Sequence, residues 1–253
     1  MTSLLNGQPA PALVADPGLL GGLAAYEALR TYQGEIFALR EHLLRLEASA
    51  AWMGVRWPGA VTLREELLAV VEPGVELAIV VMLTAENRIV RANPLDEARV
   101  GAPLRLATLR WDPSPALPAW VKHTSRAPWL LAARRAGVDE VLLVGADGAW
   151  TESNRANLLA VRQGAVHVPP ADGRVLAGVT QAAFVALARE AGLGVVEGPL
   201  GPGPWDELYA TSTLKELAPI VEIDGAPAPG GGPVGTRLHA AFRAARGVGR
   251  DRG

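Results

Sequence analysis

Two runs of alternating apolar and polar residues, each folding back at a turn doublet, constrain this chain more than any other feature. In "GLAAYEALRTYQGEIFAL" the doublet is Gln33-Gly34, and in "VELAIVVMLTAENRIVRAN" it is Glu86-Asn87. Period-two alternation on both sides of such a break describes a half-buried antiparallel pair of strands. Between the two runs stand two helical patterns. "REHLLRLEASAAWMGV" sets Leu43, Leu46 and Ala50 on one face, and "TLREELLAVV" opens with Thr62 as a cap and Glu65 at capping-box spacing. A sheet covered by helices, ending near residue 107, is expected.

"LRWDPSPALPAW" follows, where Pro113, Pro115 and Pro118 stiffen the backbone. It reads as a linker over 108–118 between a first domain, 1–107, and a second, 119–253. With 253 residues and 49% of them apolar, two modest cores are possible. The second domain alternates a helix over 126–136, capped by Ser125 and stopped at Gly137, with strands "EVLLVG", "WTESNRANLLAV" and "AVHVPP". A helix "TQAAFVALAREAG" comes next, capped by Thr180, then strands "GVVEGPL" and "ELYAT". A short helix "LKEL", opened by Ser212 and Thr213 with Glu216 in a capping box, precedes strand "IVEIDG" and a last amphipathic helix.

Charge and composition exclude several classes of function. A net charge of −2 gives no basic excess for nucleic acid. No apolar run reaches the ~18 residues of a membrane span, and the first residues lack the basic head of a secretory signal, so a cytoplasmic protein without membrane contact is expected. The chain has no cysteine, and His42, His123, His167 and His239 show no metal-ligand spacing, so no metal site is expected.

Only two lysines stand against 22 arginines. A guanidinium stays protonated, whereas an ammonium can lose its proton when desolvated and attack a carbonyl. Lys215, in "TLKELAP", reads as a solvated surface residue. Lys122 follows the apolar "PAWV" at a strand end or turn, where reactive groups are presented. Two helix starts add anion-binding potential: Gly178, Val179 and Thr180 in "LAGVTQAAF", and Ser212 with Thr213 in "ATSTLKELAP". A lysine set for imine formation and two such sites suit a phosphorylated aldehyde, and pyridoxal 5'-phosphate is the cofactor that fits.

In order along the chain, "EIFALREHLLRLEASA", Lys122, "WTESNRANLLAV", "RVLAGVTQ" and "DELYATSTLKELAPIVEIDG" resemble the class IV aminotransferases, the fold type IV pyridoxal-phosphate enzymes. That family includes D-amino-acid and branched-chain aminotransferases and 4-amino-4-deoxychorismate lyase. The resemblance spans about residues 20 to 225. It implies an α+β fold with a small N-terminal domain, a larger C-terminal domain with a β-barrel-like sheet, and a homodimer. By position it implies Lys122 as the Schiff-base lysine and Glu152 as the carboxylate facing the pyridine nitrogen. It likewise implies Arg45 as the phosphate-binding arginine, Gly178, Val179, Thr180, Ser212 and Thr213 as phosphate-cradling residues, and Leu176 as the apolar residue against the ring. Tyr26 matches a residue lining the substrate pocket. The nearest match to an Arg-x-His carboxylate pair is Arg91 with Asn93.

Three activities fit these residues. The first is transfer of an amino group from a small amino acid to a 2-oxo acid; the second is elimination of pyruvate from aminodeoxychorismate; the third is cofactor binding without turnover. Retention of both Lys122 and Glu152 argues against the third, since binding alone requires neither.

Overall fold

The computed structural model of the protein describes residues 2–9 and 16–247. They pack as two compact units. One runs through Asp96 and includes Val121–Arg126 and a short return at Arg246; the other holds Glu97–Trp120 and Ala127–Ala245.

The first unit is a six-stranded antiparallel sheet with helices against it. Its elements are β1 (Thr2–Leu5), β2 (Gln8–Pro9), α1 (Pro17–Leu20), β3 (Ala25–Tyr32), β4 (Glu35–Ile36), α2 (Leu39–Trp52), α3 (Ala60–Leu68), β5 (Leu77–Leu83) and β6 (Arg88–Pro94), with strand order β2-β1-β6-β5-β3-β4. The first doublet turns as expected, whereas the second hairpin turns one residue earlier, at Ala85 and Glu86, with the Thr84 amide donating to the Asn87 carbonyl at 2.9 Å. Gln33 and Gly34 both take positive φ, 52° and 83°, the geometry of the tight turn whose twist matches two antiparallel strands. Leu43, Leu46 and Ala50 of α2 and Leu63 and Leu67 of α3 pack with Leu29, Ile79 and Val81 in one apolar cluster. Thr62 lies inside α3 and does not cap it; Gly59 holds that place, at φ 97°, with no side-chain hydrogen bond to the helix.

The second unit begins earlier than expected, because β7 (Leu104–Arg110) is a strand of its sheet. Residues 97–107 therefore belong with the second unit, and the strand consumes the start of the proline-rich stretch. After it come α4 (Ala127–Ala136), β8 (Glu140–Val144), β9 (Trp150–Ser153), β10 (Asn157–Arg162), β11 (Ala165–Val168), α5 (Val179–Glu190), β12 (Val195–Glu197), β13 (Glu207–Ser212), β14 (Glu216–Ile223), β15 (Ala226–Pro227) and α6 (Pro233–Ala244). The strand order is β12-β11-β10-β13-β14-β7-β8-β9, and β9 also pairs with β10. Strands β10, β13, β14, β7, β8 and β9 thus form a closed circuit, a barrel-like sheet. The bridge that closes it joins Asn157 to Glu152. Leu106, Leu142, Leu158, Ala210, Ala218 and Ile220 share its apolar core, as expected of a small barrel filled by side chains.

Three local expectations change. "WTESNRANLLAV" is two strands, broken where the Ser153 hydroxyl accepts hydrogen bonds from the amides of Arg155 and Ala156, at 3.2 and 2.9 Å. "LKEL" is no helix: Ser212 pairs with Glu216 across a hairpin, so Thr213 to Lys215 form its turn. The Ser125 hydroxyl donates to the Gly22 carbonyl instead of capping a helix.

Candidate functional site

In the first unit, residues 121–126 run back along the start of β3. Ala25 and His123 form an antiparallel bridge, the Tyr26 amide donates to the Lys122 carbonyl at 3.0 Å, and the Thr124 amide donates to Ala24 at 3.0 Å. The Lys122 amide donates to the Ser49 hydroxyl at 3.0 Å, and that hydroxyl donates to the Arg45 carbonyl one turn earlier on α2. The Lys122 main chain is thereby tied to both β3 and α2. This is why Val121–Arg126 belongs to the first unit and not with the second, where the sequence reading puts it. The Lys122 ammonium lies 5.0 Å from the centre of the Tyr26 ring, and Arg126 Nη1 donates to the Tyr26 hydroxyl at 2.7 Å.

Arg45 is not a solvated helix arginine. Its Nε and Nη2 both donate to Glu27, at 2.6 and 2.8 Å, and its side chain is 12% exposed. His42, one helical turn before it, places Nδ1 2.8 Å from the same carboxylate. Burial alone would push the Glu27 pKa up. The charge and hydrogen bonds of Arg45, the bond from His42 and the charge of Lys122 overcome that and hold the carboxyl well below the usual carboxylate range. His123 moves in the direction burial dictates: desolvation first, then the charges of Arg126 and Lys122, lower it to about 4.

Alternation sends Tyr26 and Glu27 to opposite faces of the sheet. Direct pairing puts Tyr26 beside Met82, and Ala28 in line with Val80 and Arg91. Arg91, exposed, and Asn93, half-buried, therefore share the Tyr26 face, which carries half-buried apolar side chains. Arg45, Glu27 and His42 lie on the other, helix-covered face.

In the second unit, Glu152 sits at the bridge closing the barrel. Its Oε2 accepts from the Leu176 amide at 3.1 Å and from Asn157 Nδ2 at 3.3 Å, and Asn157 also donates to the Leu176 carbonyl at 2.7 Å. Glu152 and the backbone of Leu176 are thus brought together by Asn157. Gly178 precedes α5 with no side-chain cap, so Thr180 is a residue of the helix and not its cap. The glycine is a steric requirement: a Cβ there would stand 2.0 Å from Asn157 Oδ1. The Thr180 hydroxyl, 2% exposed as a residue, shares a hydrogen bond of 3.1 Å with Thr213 Oγ1. Val179 and Thr180 therefore open a helix that has no capping side chain at Gly178, and Thr213 with Ser212 stands at the hairpin turn beside it. Pairing sets Glu152, Asn157 and Thr211 in one row. Thr211 is fully buried, and its hydroxyl has no hydrogen-bond partner among the described residues. A helix start without a capping side chain, the Thr180 and Thr213 hydroxyls and the Glu152 carboxylate have the chemistry that a phosphorylated ring carrying a protonated nitrogen asks for.

Sequence reading missed Glu27, His42, Ser49, Arg126 and Asn157. Their signal is tertiary: each acts through a partner at least five residues away in the chain. Among the described residues no cluster of three or more histidine, aspartate or glutamate side chains is placed to hold a metal, and no helix is long and apolar enough to cross a membrane.

Comparison with known proteins gives the family and the fold. The family model for class IV amino-transferases matches residues 24–223. A Methanocaldococcus jannaschii protein assigned as a branched-chain-amino-acid aminotransferase is 31% identical, over 89% of this chain and 88% of its own. A D-alanine aminotransferase of Listeria monocytogenes is 26% identical, over 94% and 92%. In fold, the chain is similar to the branched-chain aminotransferase of Thermoproteus uzoniensis, with a TM-score of 0.86 at 24% identity over 99% of this chain and 96% of that one. With the matched model covering both units, this chain belongs to the class IV aminotransferases, a family of pyridoxal-phosphate enzymes, and is an aminotransferase.

Proposed function

We propose that the chain uses pyridoxal phosphate to move the amino group of an amino acid with a small or branched apolar side chain to a 2-oxo acid. The observation that carries this reading is the placement of Lys122, tied through its main chain to Ser49 and Tyr26 with its amine over the Tyr26 ring. The cited relatives bear aminotransferase names, which favours transfer over pyruvate elimination. Branched-chain and D-alanine names, together with the apolar row of Tyr26, Ala28, Val80 and Met82, support a donor with a small apolar side chain.

When bound, the cofactor supplies an electron sink that stabilises the carbanion at the amino acid's Cα. Lys122 would be the amine that holds the cofactor, and as a free amine it would serve as the general base and acid that moves the Cα proton. Glu152, oriented by Asn157 and the Leu176 amide, would be the carboxylate that keeps the ring nitrogen protonated. Val179, Thr180, Ser212 and Thr213 would hold the phosphate at the start of α5, where Gly178 leaves room beside Asn157, and Leu176 would be the apolar residue for the ring. Arg45 adds positive charge for the phosphate and is steered by Glu27. Tyr26 and Arg91 serve the substrate, and Arg126 holds the Tyr26 hydroxyl. We further propose a cytoplasmic homodimer, on the family resemblance; sedimentation should read twice the chain mass.

The test is transfer from L-leucine, L-glutamate or D-alanine to pyruvate or 2-oxoglutarate. Wild type should transfer from at least one donor. Lys122→Ala and Lys122→Arg should both lose turnover, since neither presents a primary amine. Pyruvate release from aminodeoxychorismate without any amino acceptor would replace this reading with the lyase.

A further inference from the structure

We propose that the buried ion pair of Lys215 with Glu140 is a positioning device, setting the distance between the strand end that carries Glu152 and the hairpin turn that carries Ser212 and Thr213. The inference rests on the roles proposed above for Glu152 and Thr213.

Glu140 opens β8 and is 1% exposed. Each of its oxygens has a different partner. The Lys215 ammonium donates to Oε1, and the Ser153 hydroxyl donates to Oε2 at 2.5 Å. Ser153 in turn organises the β9–β10 break by accepting from the amides of Arg155 and Ala156. Lys215 lies in the β13–β14 turn, two residues after Thr213, with its side chain 18% exposed and its carbonyl accepting from the Gly101 amide at 2.9 Å. One carboxylate therefore joins the two turns.

The two ends of this bridge lead out to the candidate site. Ser153 pairs with Leu142, whose side chain is in the barrel core, so Ser153 faces the same side as that core. Its neighbour Glu152 points to the opposite face by strand alternation. A shift of Ser153 moves Glu152 with it. At the other end, Thr213 meets Thr180 at the start of α5, and Glu216, next to Lys215, sits at φ 58° with its carboxylate 2.5 Å from His239 and 3.3 Å from Arg243 of α6. The turn is thus held from two directions, by Glu140 through Lys215 and by α6 through Glu216.

The choice of lysine in an arginine-rich chain has a physical reason here. With Oε2 taken by Ser153, only Oε1 of Glu140 faces the turn, and a compact ammonium satisfies a single oxygen where a planar fork asks for two. A buried ion pair is in general no better for stability than an apolar pair of similar volume. Its presence here therefore fits a demand for position.

The experiment compares cofactor-free protein binding pyridoxal phosphate and pyridoxal by equilibrium dialysis, for wild type, Lys215→Met and the double variant Lys215→Met/Glu140→Gln. The double variant removes both charges, so no unpaired carboxylate is left buried, and circular dichroism melting reports its fold. It should lose about tenfold in affinity for pyridoxal phosphate, the scale of one hydrogen bond to a charged group. Its affinity for pyridoxal should stay within about twofold, below the energy of such a bond. A general loss of structure would lower both affinities alike, and that result, or no change in either, overturns the inference while leaving the proposed function standing. A wild type that does not prefer the phosphorylated compound removes the phosphate role of Thr213, and the inference falls with it.

Discussion

His123 shows how one side chain can report on its surroundings. It is buried beside the charges of Arg126 and Lys122, and its pKa drops from 6.5 to about 4. Because the folded value lies below the unfolded one, folding prefers the neutral imidazole. Its contribution to stability is complete above pH 6.5 and is lost as pH falls from there to about 4, by at most about 3 kcal/mol. Glu27 is also lowered, so its contribution is lost only as pH falls below the ordinary carboxylate value of 4.5, a later window. His123→Gln should flatten the dependence of the unfolding midpoint between pH 6.5 and 4 without touching the drop below it. A variant that keeps the wild-type slope in the upper window would assign that slope to other groups. Neither shift is visible from the amino-acid order, since "VKHTSR" does not say which of its side chains lies under the others.

The β13–β14 turn and the start of α5 show the same limit at the level of elements. "STLKEL" has the composition of a capped helix, but pairing of Ser212 with Glu216 gives its backbone to a hairpin. Local propensity lost to cross-strand hydrogen bonds, which the segment's own residues cannot announce. The α5 start is legible in the sequence to within a residue, yet the reason for its glycine is not. Gly178 has φ −75°, a value any residue adopts, and the constraint is the 2.0 Å approach to Asn157 Oδ1. Gly178→Ala should push the helix start away from Asn157 at a cost of about 1–3 kcal/mol from overpacking. Cofactor affinity should fall while circular dichroism shows unchanged helix content. Undiminished affinity would mean that Asn157 yields and that the close approach is dispensable.

Across the whole molecule, each unit has its own apolar core. Leu46 is fully buried in the first and Leu158 in the second. Replacing either by alanine should cost about 2–5 kcal/mol, the usual range for a buried leucine. The two sites share no cluster, so in calorimetry the double variant should equal the sum of the single ones to within about 0.5 kcal/mol. A marked departure from additivity would show that the cores are coupled.

By itself the sequence determined helices α2, α3, α5 and α6, the Gln33-Gly34 turn, the apolar faces of α2 and α3, and the family through motifs in order from "EIFALREHLLRLEASA" to "IVEIDG". Those are local patterns of periodicity, turn chemistry and residue type, and they survive in one dimension. Tertiary structure alone decided that β7 joins the second sheet, that Lys122 is tied to Ser49 and β3, that Glu152 closes the barrel against Asn157, and that Lys215 is bound to Glu140. Each of these is a hydrogen bond or ion pair between residues distant in the chain, and its existence depends on which groups burial leaves without water.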